Sequence, residues 1–178
     1  MTEQELIQGC IKEDKRCQKE LFRRYAGRLL GICLRYARHR LEAEDILQDA
    51  FIKIFDKIAS FEGKGSLEGW LRRIVVNTAL KNYQKLSFQQ EQIGLGEELD
   101  IPIDPVIYAD LQEAELLNLI ARLPDGYRVV FNLYAIEGYS HREIANTLEI
   151  KESTSRSQLV KARKLLQNMI LQMQRVAV

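Results

Sequence analysis

The chain has 178 residues, 46% apolar and 29% charged, with a formal net charge of +1, a composition that fits one ordinary globular domain or two small ones. It holds no apolar run long enough to span a bilayer, and "MTEQELIQGC" has no basic stretch leading into an apolar segment, so membrane insertion and secretion are not expected and the cytoplasm is. Cys10, Cys17 and Cys33 make an odd count and, with His39, match no compact zinc spacing, so they are expected as small buried hydrophobes, with no metal or cofactor.

The even net charge hides an uneven distribution. Residues 1–85 hold 17 Lys and Arg against 12 Asp and Glu; residues 86–121 hold 8 acids and no base; residues 122–178 hold 9 bases against 5 acids. Two mildly basic blocks therefore flank an acidic one. Basic blocks attract polyanions, and an acidic connector can shield them or keep them apart.

Helical periodicity dominates, without a clear alternating strand pattern. Thr2 and Glu5 form a capping box at the start. Helices are predicted at 3–14, 17–37, 41–59 and 67–86. The two glycines of "FEGKGS" separate the last two, with Ser66 as the N-cap of the fourth. Residues 87–108, with two glycines, two prolines and five acids, lack a regular period and read as a linker. Helices follow at 109–122, 125–136, 141–148 and 152–173. The expected fold class is all-α: two small helical domains, 1–86 and 109–178, joined by a flexible acidic linker, 87–108.

"EGYSHREIANTLEIKESTSRSQLVKARKLL" has the layout of a helix-turn-helix. Ser140 and Glu143 cap the first helix, Ile144, Ala145 and Leu148 give it an inner face, Ile150 fills the turn, and the second helix starts near Glu152. On that helix Leu159, Ala162, Leu165, Leu166 and Met169 share one side, while Arg156, Ser157, Val160, Lys161 and Lys164 share the other. An apolar face to pack and a basic face to present suit a recognition helix in a major groove. The alternative is a solvated helix whose charges serve solubility.

The longer stretch "LPDGYRVVFNLYAIEGYSHREIANTLEIKESTSRSQLVKARKLL" resembles region 4 of the extracytoplasmic-function (group 4) RNA polymerase sigma factors. "AEDILQDAFIKIF" resembles their region 2.1–2.2, and "FEGKGSLEGWLRRIVVNTALKNYQK" their region 2.3–2.4. The resemblance implies a non-enzymatic subunit that directs core RNA polymerase to promoters. Its implied partners are the polymerase (β′ clamp helices and β flap), promoter DNA and an anti-sigma factor. By the same resemblance, Asp45, Gln48 and Asp49 match the polymerase-binding positions. Their spacing puts them on one helical face, for which an ordinary acidic surface stripe is the alternative. Asp49 stands where Glu is frequent in the family.

The resemblance further implies that Phe61, Lys64, Trp70, Arg72, Arg73, Asn77 and Lys81 serve the opened −10 element. The "FEGKGS" loop and Asn77 would hold a flipped base, with the basic residues and Lys85 forming the track for the strand. For Trp70, one turn into its helix, core is the stronger reading and base stacking the weaker. Arg156, Ser157, Val160, Lys161 and Lys164 fall where the −35 element is read. Two departures stand out: Ser155 replaces a common Val, and Tyr134 sits where a DNA-contacting Arg is frequent. The linker resembles neither region 1.1 nor region 3 of larger sigma factors and would thread toward the RNA-exit path. A helix-turn-helix regulator acting without polymerase, and a helical adaptor binding only protein, are the competing readings.

Overall fold

The structure, a computed structural model, describes residues 1–91 and 113–176. Most of the expected linker 87–108, and the expected helical residues 109–112, lie outside them. Contacts divide the chain into two compact units, Met1–Asn82 and Tyr83–Val178. Among the described residues there is no strand, and no helix is long and apolar enough to cross a membrane.

In the first unit, α1 (Glu3–Ile11) opens on the expected capping box: Thr2 Oγ1 accepts from Glu5 N–H at 3.2 Å, and Glu5 accepts from Thr2 N–H at 2.7 Å. These bonds favour the charged carboxylate and hold Glu5 below its ordinary pKa. The helix stops at Ile11 rather than residue 14. Glu13 takes a left-handed φ of 58°, and Asp14 accepts from Arg16 and Cys17 N–H at 2.7 and 3.3 Å to start α2 (Lys15–Tyr36). Asp14 thus belongs to the next helix as its N-cap. A Cβ on Gly9 would lie 2.1 Å from Cys17 Sγ, so only glycine permits this close approach of α1 to α2.

The third helix, α3 (Arg40–Lys57), is capped by His39, whose Nδ1 accepts from Glu42 N–H at 3.2 Å. It ends in a 3₁₀ turn, Ile58–Ser60, and the loop Phe61–Ser66 leads into α4 (Leu67–Glu91). Ser66 caps α4, accepting from Gly69 N–H at 3.1 Å, as expected, and the helix runs on to Glu91 rather than residue 86. Leu6, Leu21, Leu29, Ile54, Ile58, Leu67 and Leu71 are fully buried together; each such side chain contributes about 1.5–3 kcal/mol. All three cysteines are buried in this unit. Burial pushes the thiol pKa of Cys10 to about 11 and of Cys33 to about 12.

The second unit holds α5 (Glu113–Ala121), α6 (Asp125–Phe131), α7 (His141–Leu148) and α8 (Glu152–Val176). Leu119, Ile120 and Leu123 pack on Ala162, Leu166 and Ile170, with Tyr127, Phe131 and Leu165 around them. Arg128 is 3% exposed. Its Nη1 donates to the carbonyls of Ala121 (3.2 Å) and Leu123 (3.1 Å) at the end of α5, and its Nη2 to Asp125 at 2.8 Å. The expected single helix 125–136 is corrected: α6 ends at Phe131 and Asn132–Ile136 form a π-helical turn. Glu137 N–H donates to Asn132 O at 3.0 Å, and Tyr139 N–H to Leu133 O at 2.9 Å. With Asn132 and Leu133 wholly buried, the wider turn keeps these backbone groups bonded where the helix bends away.

Candidate nucleic-acid and polymerase interfaces

The helix-turn-helix forms as its local signals require. Ser140 Oγ accepts from Glu143 N–H (3.2 Å), and Glu143 accepts from Ser140 N–H (2.8 Å). The Ser140 N–H and the Ser140 hydroxyl, which also donates to the carboxylate at 2.7 Å, hold the carboxyl of Glu143 below its ordinary pKa. Glu149 closes α7 in the left-handed region at φ 57°, and Ile150 N–H reaches back to Ala145 O at 3.0 Å. Ile144 and Ala145 are buried where α7 meets α8, as are Leu159, Ala162 and Leu166; Leu148 and Ile150 are half-buried.

On the outer face of α8, Arg156, Ser157 and Val160 are exposed, and Lys161 and Lys164 are half-buried. With Ser153 these five line a shallow groove of about 520 Å³. The structure thus brings together all five residues expected on this face. Arg156 is held by Glu152, one turn earlier, so the guanidinium is pre-oriented rather than loose.

The two departures at Ser155 and Tyr134 form one arrangement. Ser155 is fully buried, and its Oγ lies 2.9 Å from His141 Nδ1. The His141 ring stacks on Tyr134, centroids 4.6 Å apart, and the Arg163 guanidinium lies 5.8 Å from the Tyr134 ring centroid. A hydroxyl replaces an apolar side chain at Ser155 because His141 satisfies it, tying the start of α7 to the start of α8. Burial, and then the Arg156 charge, lower the pKa of His141. Sequence reasoning missed this linkage; its signal is the coincidence of both departures with a histidine at the first position of α7.

On α3, Ala43, Ile46, Leu47, Ala50 and Ile54 face inward, leaving Asp45, Gln48 and Asp49 exposed. Neighbouring acids are engaged: Glu42 with Arg38 and Asn82, Glu44 with Arg40. Asp45 and Asp49 have no ion pair among the described residues, so both carboxylates are open to a partner. Leu41 and Ile52, 71% and 60% exposed, flank this stripe at helical spacing. Sequence reasoning passed over these two, although 41, 45, 48 and 52 share a face.

On α4, Leu67, Leu71, Val75, Val76, Ala79 and Leu80 are buried, so Arg73, Asn77 and Lys81 form an exposed row with Lys85, and Arg72 is half-buried. Thr78 is buried, its Oγ1 bonded to Ile74 O (2.8 Å) and to Lys53 Nζ (3.3 Å). Phe61 and Trp70 are both half-buried, with ring centroids 5.6 Å apart and planes tilted by 57°. Gly63 and Gly65 take φ of 72° and 92°, which only glycine adopts without strain. Lys64 is exposed and paired with Glu62 at 2.6 Å.

Known proteins share this arrangement. Residues 21–88 match Sigma-70 region 2, and residues 113–166 match Sigma-70, region 4. Two helical units carrying these regions define a sigma-70-type initiation factor. Over 184 aligned positions the chain is 30% identical to the ECF RNA polymerase sigma-E factor of Haemophilus influenzae, covering 96% of each chain. The RNA polymerase sigma-H factor of Pseudomonas aeruginosa is 28% identical over 178 positions, 92% of this chain and 91% of that one. A solved structure of the sigma factor RpoE in complex with the anti-sigma factor NepR from Bartonella quintana has the same fold. Its TM-score is 0.50 at 24% identity, covering 86% of this chain and 96% of that chain. The chain belongs to the extracytoplasmic-function RNA polymerase sigma factors of the sigma-70 family. It directs core RNA polymerase to specific promoters for transcription initiation.

Proposed function

We propose that residues 1–86 hold the polymerase and the opened −10 element, that 87–108 link the halves, and that 109–178 read the −35 element. The observation that carries the reading is the basic outer face of α8, presented by a helix-turn-helix whose two helices are tied by His141 and Ser155. Arg156 pairs with a guanine edge, Ser157 and Val160 make close contacts, and Lys161 and Lys164 meet phosphates. Leaving Glu152 costs Arg156 little. An exposed ion pair is worth about 0–1 kcal/mol, against about 1–3 kcal/mol for a bidentate guanine contact.

Asp45, Gln48 and Asp49, edged by Leu41 and Ile52, anchor the β′ clamp helices: carboxylates for basic partners, apolar side chains for buried area. The β flap is taken as the partner of the C-terminal unit. Arg73, Asn77 and Lys81, with Arg72, Lys64, Phe61 and Trp70, serve the separated −10 strand. The row on α4 tracks phosphates, and the Phe61–Trp70 pair supplies a stacking surface. The protein works in the cytoplasm as a non-enzymatic specificity subunit, held in reserve by an anti-sigma factor. The solved sigma factor of the same fold, captured in complex with an anti-sigma factor, supports that last point.

Run-off transcription with purified core polymerase on a library of candidate promoters tests the reading. Transcripts from a small promoter subset, absent with core alone, are expected. A chain that binds promoter duplex but never co-purifies with core polymerase would instead be a stand-alone regulator.

A further inference from the structure

The outer face of α8 has two flanks, and the residues assigned to DNA above reach only one of them. At 100° per residue, Arg156, Val160, Lys164, Ser157 and Lys161 follow one another around an arc of about 140°. Arg163 lies about 20° beyond the Arg156 end of that arc, and about 10 Å further along the helix axis. It is exposed and has no ion pair among the described residues. Its guanidinium lies 5.8 Å from the centroid of the Tyr134 ring. That ring, 36% exposed, is stacked on His141, itself joined to buried Ser155 in the first turn of α8. Neither Arg163 nor Tyr134 lines the groove that runs from Ser153 to Lys164.

The two arginines are held in different ways. Arg156 is held by the carboxylate of Glu152, which neutralises it and must be left when DNA is met. An aromatic face attracts Arg163 through its quadrupole and takes up none of its N–H donors. The guanidinium therefore keeps its full charge and its donors while its direction is fixed. The stack on His141 ties the ring in turn to the starts of α7 and α8. An aimed, unneutralised guanidinium suits a phosphate group, whose oxygens accept two parallel N–H bonds. The position suits it too. A helix seated in a major groove, about 12 Å wide, has a phosphate wall on each side, and its N-terminal residues reach the base edges. Lys161 ends the arc toward one wall, and Arg163 ends it toward the other.

We propose that Arg163, aimed by the Tyr134 ring, clasps a phosphate on the wall of the −35 groove opposite Lys161, with Tyr134 as its positioning residue. A phosphate contact carries no sequence information itself but fixes register, so the clasp sets how Arg156 meets its base. This rests on the −35 reading of α8 and adds a second phosphate wall to it.

The test uses holoenzyme assembled from the full chain and core polymerase, on a promoter recovered by run-off transcription. Single phosphates along both strands of the −35 element are replaced in turn by neutral methylphosphonates. One position should weaken wild-type binding about ten-fold and leave Arg163→Ala unaffected, because that variant has already lost the contact. On the unmodified duplex, Arg163→Ala should itself bind about ten-fold more weakly and lower the slope of log affinity against log salt by about 0.9. Tyr134→Ala should lose about two- to five-fold and Tyr134→Phe nothing; in the Arg163→Ala background Tyr134→Ala should add no further loss. A purely structural role for either side chain would not remove sensitivity to one phosphate. An Arg163→Ala variant that keeps wild-type sensitivity at every position overturns the clasp while the −35 reading stands. So does a Tyr134→Phe loss equal to that of Tyr134→Ala, or a Tyr134→Ala loss that persists without Arg163. A wild type indifferent to replacement of the −35 sequence overturns the reading of α8 and the clasp with it.

Discussion

Replacing Arg128 by methionine tests how the DNA-reading half is held together. The guanidinium is 3% exposed and donates to two carbonyls at the end of α5, Ala121 and Leu123, and to Asp125. These carbonyls have no intrahelical partner of their own, and the helix terminus favours a cation there. Methionine fills most of the volume but leaves the Leu123 carbonyl buried and unbonded, at about 1–3 kcal/mol, and the Ala121 carbonyl partly so. Asp125 is partly exposed and rehydrates, so its share is small. The net loss should be about 3 kcal/mol, which for a unit of this size lowers its melting temperature by about 10–20 °C. Scanning calorimetry of the full chain reads this directly, and Arg128→Lys should recover part of it, since one ammonium reaches fewer of the three acceptors. A methionine variant that melts within about 3 °C of wild type would refute the reasoning, showing that the bonds only replace equivalent ones to water.

Four further outcomes are expected. Arg156→Ala should cost about 1–3 kcal/mol in −35 binding and relax one base preference, whereas Lys164→Ala should weaken all duplexes evenly and flatten the salt dependence; fluorescence anisotropy across salt concentrations separates the two. Asp45→Lys should cost about 5-fold to about 150-fold in core polymerase affinity, about 1–3 kcal/mol, without changing the melting temperature, and a pull-down at wild-type level would place the anchor elsewhere. Asn77→Ala should slow opening of a closed promoter but not of one with a pre-melted −10 bubble, as permanganate footprinting would show. The folded pKa of His141 is lowered from 6.5, so its contribution to stability is fully present above pH 6.5 and lost as pH falls through the lowered value; denaturant titrations should show that acid-side loss shrinking in His141→Gln.

Local chemistry made much of this legible from the sequence. The capping boxes at Thr2–Glu5 and Ser140–Glu143 depend on residues three apart, and the two faces of α8 follow from helical period alone. The features that escaped depend on distant partners. Arg128 reads as one more surface cation until the end of α5 supplies its acceptors. Ser155 reads as a departure until His141, 14 residues earlier, is seen to bond it. The π-helical turn has no periodic signature, because Asn132 and Leu133 suit an α-helix equally well. Leu41 and Ile52 were passed over because exposure depends on which surfaces the other helices leave uncovered.

The π-helical turn at Asn132–Ile136 also acts as a phase shifter. Each residue added to a helix rotates all later residues by about 100°, so the wider turn resets the angular alignment between the α6 side chains in the core and Tyr134 at the surface. A regular α-helix through the same residues would bring Val129 and Val130 to the interior or Tyr134 to His141, but not both. Shortening this segment by one residue would therefore leave a well-formed helix whose aromatic ring points away from the histidine.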